Sequence, residues 1–501
     1  MGVIKFAYYN GKVWDTARFQ PNIFICDSKE SPVMVPEDDG AGLISADIGV
    51  MELAALHIRW KAPSFGEVTL PTAALAPRDE PYNLNVELAT ARLGLMRAFI
   101  GRWKAKGYAP SDGILGSICR AEKILGYISG GEPEAVNARW GDLALSILLP
   151  AGEELALECA EWSIGCRAGQ GGFAGFKFGC SFFNMPRDGA YLRHFLGLFN
   201  FATLPFYWSG FEPEPGAPGF QKVDELARLL EGHGLPLKGH PLLWFHTMPV
   251  WAEKDIGALK RQIYKRVSEI VTHYKGKIRI WDVINEIQHI NPYGTEVGLE
   301  LARYIADTVA EFDPGAVRII NADEPFGEYM AKKPAAGMAP YDFFEALEKA
   351  GAVYEVIGIQ LYHGAGWAYC RDLFEMSRYF DRYEKFGKPV HLTELGSPSE
   401  EGYDRNDFSW TENAIFPKDM RFLVSDAGFW RGPWDQKGQA DWVEGFYKIL
   451  MGKPFVEAIT WWDFSDQNGH FFSHSGLLDK DGNPKEAYRR LKALRNMYLD
   501  N

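Results

Sequence analysis

From residue 176 onward the chain alternates between two hydrophobic periodicities. Short runs rich in branched and aromatic residues are each followed by a longer stretch whose apolar residues recur every three or four positions. The runs at 176–182, 201–208, 237–244, 278–286, 317–321, 356–362, 390–395 and 456–464 predict buried strands. The stretches at 189–199, 220–233, 259–274, 296–312, 341–350, 371–386, 438–451 and 484–497 predict helices with one apolar face. Strands alternating with helices imply a parallel sheet, and eight pairs imply an α/β fold closed as a (β/α)8 TIM barrel. An open doubly wound sheet is the alternative, but no Gly-x-Gly-x-x-Gly follows the first strand.

The first 168 residues have a different texture. Short strand-like pieces at 50–60 and 66–70 precede a helix predicted by Leu84, Leu88, Leu95 and Phe99, spaced at fours and sevens. A second helical piece follows at 118–128, and 143–149 with 154–164 read as a closing hairpin. Residues 1–168 are thus expected to form an N-terminal, mainly β accessory domain carrying a helical insertion. A packing or spacer role is favoured over carbohydrate binding, because no binding motif is visible. Gly169, Gly171, Gly172 and Gly175 predict a flexible joint to the barrel at 176–499.

Two of the predicted barrel strands end in glutamate: Trp281-Asp282-Val283-Ile284-Asn285-Glu286 on the fourth and Leu392-Thr393-Glu394-Leu395 on the seventh. In such a barrel every strand's C-terminal end opens onto one face, so both carboxylates reach one bowl. A carboxylate at the end of a buried strand is poorly solvated, and two of them can have their pKa values raised or split. Two carboxylates facing one bond are what retaining glycoside hydrolysis needs, one as acid and one as nucleophile. His240 and Trp244 on strand three, Gln360, Tyr362 and His363 on strand six, and Trp461 and Trp462 on strand eight fall at the same ends.

Composition narrows the partners. The net charge of −13 offers no basic surface for nucleic acid or an anionic membrane. Aromatics make up 14% of the 501 residues, which suits sugar stacking as well as a large core. No run approaches the length of a membrane-spanning helix, and the first residues lack a signal-peptide layout. The expectation is a cytoplasmic protein, or an exported one whose signal is absent from this sequence. The six cysteines show no metal-like spacing and are expected to be ordinary buried thiols. His233, His240, His246 and His363 do not form a metal-site spacing either.

With these segments in view, the span from 176 to 499 resembles the catalytic domain of glycoside hydrolase family 10, the retaining endo-β-1,4-xylanases. Lys238-Gly239-His240-Pro241-Leu242-Leu243-Trp244 resembles its strand-three motif, the segment ending at Glu286 its acid/base motif, and that around Glu394 its nucleophile motif. Ile459-Thr460-Trp461-Trp462-Asp463-Phe464-Ser465-Asp466 is similar to its strand-eight segment, and the Leu477–Tyr488 stretch also follows the family pattern. The resemblance implies an oligosaccharide or polysaccharide substrate, xylan-like and β-linked, and no metal or cofactor. It implies Glu286 as general acid/base and Glu394 as nucleophile, with Asn285 on the sugar 2-hydroxyl. His240 and Gln360 are implied to orient the −1 sugar and the nucleophile, and Trp244 and Trp462 to wall the −1 pocket. Either Tyr362 or His363 is implied to touch Glu394.

The second strand departs from the family. Where a Glu-Asn pair and a Lys usually hold the glycone sugars, this chain reads Thr203-Leu204-Pro205-Phe206-Tyr207-Trp208. Tyr207 and Trp208 are therefore expected to shape the glycone side, with Leu204, Phe206 and Tyr207 blocking the −2 site or favouring another sugar. The alternatives are an exo-acting β-glycosidase or, in another class, a non-catalytic carbohydrate-binding barrel. The loop at 397–436, with Trp410, Trp430 and Trp434, is weighed as a cleft roof, with local packing favoured.

Overall fold

The structure, a computed structural model, describes residues 2–9, 21–62, 64–186, 188–333, 337–364, 371–402, 429–468 and 473–499. Two four-stranded sheets open the chain. One orders β4 (Glu37–Asp38), β5 (Leu43–Asp47), β1 (Val3–Ala7) and β8 (Tyr82–Asn83). The other orders β3 (Pro32–Met34), β2 (Ile23–Cys26), β6 (Ala55–Ala62) and β7 (Gly66–Pro71). Three helices follow: α1 (Leu84–Lys104), α2 (Asp112–Leu125) and α3 (Glu134–Ala168).

The expected hairpin at 143–164 is corrected by α3, a single helix of 35 residues that contains Pro150. A helix-interior proline costs about 3 kcal/mol. Burial of Leu145, Leu148, Leu149, Leu155 and Ile164 outweighs it, since each large aliphatic side chain contributes roughly 1.5–3 kcal/mol. The N-terminal β region is present, but helices close it.

Residues 177–461 carry the predicted barrel, closed in the order β10 (Phe201–Pro205), β11 (Leu237–His240), β12 (Ile280–Asn285), β13 (Val317–Ala322), β14 (Val356–Tyr362), β15 (Val390–Gly396), β16 (Val456–Trp461) and β9 (Lys177–Ser181). Every residue of β12, β14 and β15 is buried, as expected for strands covered on one face by helices and on the other by the packed barrel interior. Register irregularities fall beside the polar ends. One in β12 sets Asn285 opposite Asn321, and one in β14 sets Gln360 opposite Glu394. Gly358 is needed for this closeness, because a Cβ there would stand 2.7 Å from Asn321 Oδ1.

The joint expected to be flexible is tied down. The Arg167 guanidinium donates to the carbonyls of Met451, Lys453 and Val456 at 3.1–3.2 Å and to Gly172 O at 2.7 Å. α3 lies directly on the barrel helix Gln436–Met451, and Ser163 Oγ donates to Gly452 O at 2.5 Å. One apolar cluster runs without a break from Ile4 through α1–α3 into the barrel. Of the five cysteines within the described residues, Cys26, Cys159 and Cys180 are buried, but Cys119 and Cys166 are exposed, contrary to expectation. Cys370 lies outside them. No described helix is long and apolar enough to cross a membrane.

Candidate active site

The C-terminal ends of β11–β16 bring the two glutamates into one hydrogen-bonded cluster. Glu286 follows β12 in the left-handed region (φ 57°), an uncommon conformation for a non-glycine residue. Its Oε2 accepts from Trp244 Nε1 at 2.7 Å, and its Oε1 accepts from Asn285 Nδ2 and Gln360 Nε2, both at 2.9 Å. Glu394, within β15, accepts from the Tyr362 hydroxyl on Oε2 and from Asn321 Nδ2 at 3.4 Å on Oε1. His240 Nε2 faces the same Oε1 at 3.5 Å. Asn321 also donates to Asn285 Oδ1 at 2.5 Å, and Gln360 to that oxygen at 3.0 Å. Three amides thus link the carboxylates.

Behind Glu394 stands a buried relay. His240 Nδ1 lies 2.7 Å from Asp282 Oδ2, which is also 2.8 Å from Lys238 Nζ. Burial works to raise the Asp282 pKa, but the Lys238 ammonium and the His240 ring outweigh it and hold that carboxyl below its ordinary value. Asp282 is therefore the acceptor, and Nδ1 of His240 carries the proton. Burial keeps the His240 ring itself low, despite Asp282, so the imidazole is neutral and presents Nε2 toward Glu394.

The two glutamates are split by their surroundings. Burial pushes Glu286 well up, and the charges of Asp323 and Glu394 push the same way, while Gln360 and Trp244 oppose them. Glu394 stands at about 8: burial, joined by the charges of Asp282 and Asp323, pushes it up, and the Tyr362 hydroxyl and the Lys238 charge oppose them. Carboxylates press on both glutamates, but the Lys238 cation acts on Glu394 while the charge of Glu394 itself works against ionising Glu286, so Glu394 ionises first.

Each residue anticipated from the sequence has a place. The Tyr362 hydroxyl, not the His363 ring, reaches Glu394. His363 is stacked on Trp442 at 4.4 Å and lies 5.0 Å from Trp434. Gln360 serves Glu286 rather than Glu394. Tyr207 stands edge-on to His240 at 5.6 Å and 5.7 Å from Trp244. Trp462 stands edge-on to His240 at 5.0 Å, and Phe183 contacts both Tyr207 and Trp462. Trp208 pairs instead with Glu212 at 3.1 Å and Trp251. Leu204 and Phe206 are fully buried, Phe206 against Phe211, Tyr274 and Trp281, so neither fills the cleft. Trp410 lies outside the described residues.

Asn321, Lys238, Asp282 and Asp323 were missed as site residues. All four are polar groups in or just after apolar strands, the same signal that marked the glutamates. Among the described residues His289, Asp323 and Glu324 bring ligand-type atoms within 4.8 Å of one another. Asp323 Oδ1 there already accepts from Gln288 Nε2 at 2.6 Å and meets His289 Nε2 at 2.7 Å.

The family model described as Glycosyl hydrolase family 10 matches residues 205–494, more than half of the chain. The chain belongs to this family. Among its relatives, endo-1,4-beta-xylanase B of Thermotoga neapolitana is 24% identical over 342 residues, covering 64% of this chain and 87% of the relative. Beta-1,4-xylanase of Dictyoglomus thermophilum is 26% identical over 300 residues, covering 56% and 77%. A solved psychrophilic family 10 endo-beta-1,4-xylanase shares the fold at 20% identity with a TM-score of 0.50, covering 64% of this chain and 96% of its own. The family 10 enzyme described here is a xylanase-like glycoside hydrolase of the retaining kind.

Replacing Tyr362 with Phe removes a donor that favours the ionised form of Glu394. The free-enzyme kcat/KM profile of the wild type should have an acid limb well above the ordinary carboxylate range, toward pH 8. In Tyr362→Phe that limb should move to still higher pH; an unmoved limb would contradict the assignment.

Proposed function

We propose that the enzyme cleaves β-1,4-linked xylan or xylo-oligosaccharides, with Glu394 as nucleophile and Glu286 as acid/base. The observation that carries this is the three-amide bridge between two buried glutamates whose neighbours push their ionisation apart. Ionised Glu394 attacks the anomeric carbon as the bond to the leaving oxygen breaks, and Glu286 gives its proton to that oxygen. Once the charge on Glu394 is consumed in the glycosyl ester, Glu286 takes a proton from water. The water attacks the same carbon and releases Glu394. Neutral His240, with Nδ1 tied to Asp282, is suited to accept a sugar hydroxyl on Nε2.

Two units are proposed, an accessory region at 1–168 and the catalytic barrel at 176–499. Hydrolysis of xylan by wild type and by Glu394→Ala, with products sized, tests the reading. Release of xylo-oligosaccharides by wild type alone supports it, and equal activity in both proteins refutes it.

The glycone side favours a second, narrower reading, an exo-acting enzyme on short xylo-oligosaccharides. Phe183, Tyr207 and Trp462 close around His240, and the family resemblance implies a lysine on this second strand where the chain reads Phe206-Tyr207-Trp208. A hydrogen bond to a charged donor contributes about 1.5–3 kcal/mol. Tyr207→Lys is therefore expected to lower KM for xylotriose by roughly tenfold or more. A KM that is unchanged or higher would remove Tyr207 from the specificity argument.

A further inference from the structure

The seam between the N-terminal region and the barrel extends to the catalytic end. The edge of β7 meets the segment that returns to the barrel after β15. Glu67 N–H donates to Phe429 O at 2.8 Å, and Arg431 N–H donates to Phe65 O at 2.6 Å. Glycine is required at position 66, where φ is +141° and a Cβ would stand 2.1 Å from Phe429 O.

On the other flank Glu153, fully buried in the middle of α3, accepts from Trp430 Nε1 at 2.8 Å, Arg431 Nε at 2.7 Å and Leu373 N–H at 3.0 Å. One carboxylate thereby ties together the chain beyond β14 and the chain beyond β15. A buried charge is costly unless it is paired and hydrogen-bonded; burial and the Asp372 carboxylate push the Glu153 pKa up, and the Arg431 charge with the Leu373 and Trp430 donors oppose them.

The ties continue inward. The Trp430 ring lies 6.2 Å from Trp434, whose Nε1 donates to Pro398 O at 2.7 Å. The Trp434 ring is 5.0 Å from His363, whose N–H donates to Gly396 O at 2.9 Å. The residue before His363 is Tyr362, the donor to Glu394.

We propose that Glu153 is a positioning residue for the glycosyl-transfer step, holding the Tyr362 hydroxyl on Glu394 through Trp430, Trp434 and His363. This rests on the reading of Glu394 as the nucleophile. It makes the N-terminal region a support of the catalytic constellation, a role that no motif in its sequence announces.

The test is labelling of the full chain with 2,4-dinitrophenyl 2-deoxy-2-fluoro-β-xyloside. A Glu394 carboxylate oxygen bonds to the anomeric carbon as the bond to dinitrophenolate breaks, and the released phenolate is followed by absorbance. Glu153→Ala and Trp430→Phe are expected to label about tenfold more slowly or worse, since small displacements at a reacting pair are expensive. Their acid limb should move to higher pH, as Tyr362 loses its hold. Glu153→Gln keeps an acceptor for Trp430 and Leu373 and should recover most of the rate. If Glu153→Ala does not fold, Trp430→Phe and Glu153→Gln carry the comparison.

Variants that melt earlier but label at the wild-type rate, with an unmoved pH profile, overturn the proposal and leave the nucleophile reading intact. A wild type that releases no phenolate, or carries the label elsewhere than Glu394, overturns that reading and this proposal with it.

Discussion

Glu394→Ala is expected to lower kcat on xylan by about 10⁵-fold or more, the scale seen when a covalent nucleophile is removed. A better leaving group should not restore turnover, because no atom remains to take the anomeric carbon. The same site predicts a stability gain. Burial raises Glu394 in the fold to about 8 from an ordinary 4.5. A carboxyl raised in this way supports the fold fully below about pH 4.5, and that support is lost as pH rises through the folded value. Glu394→Gln cannot ionise, so its Tm should match wild type near pH 4 and exceed it increasingly toward pH 8. A variant Tm that falls relative to wild type over that range would mean Glu394 is stabilised as a charge.

Glu286→Gln should behave differently, and the difference is diagnostic. Losing a general acid costs about 10²–10⁴-fold where the leaving oxygen needs a proton, so activity on xylan should collapse by that amount. On 2,4-dinitrophenyl β-xyloside, whose leaving group departs as an anion, the first step should stay within about tenfold of wild type. The alkaline limb of kcat/KM on xylan should also disappear, because the group whose deprotonation sets it is gone. Equal losses on both substrates would give Glu286 a different role.

The barrel was legible because its strands are buried on both faces and its helices on one, so two periods alternate without ambiguity. Each of the eight predicted strands overlaps an observed one. The two glutamates were legible because a charge ending an apolar run is conspicuous. The helix α3 was read as a hairpin at 143–164, since short apolar runs are visible in sequence while the packing that joins them across Pro150 into one helix is not. The facing of residues after β10 was likewise hidden. Leu204 and Phe206 look like cleft blockers until their burial in the core leaves Tyr207 as the residue beside His240. The choice between Tyr362 and His363 depended on facing, which the structure gives: the Tyr362 hydroxyl meets Glu394, and the His363 ring stacks on Trp442. Glu153 could not have been found at all, because its partners lie more than two hundred residues away.

The central claim is the division of labour between the two glutamates, and azide tests it most directly. With 2,4-dinitrophenyl β-xyloside and azide, Glu394→Ala should regain turnover and yield the α-glycosyl azide. There the anion attacks from the face Glu394 occupied and displaces the phenolate. Glu286→Ala should yield the β-glycosyl azide, formed when the anion replaces water in attacking the Glu394 glycosyl ester. The reverse pair of anomers, or no azide product from either variant, would contradict the account.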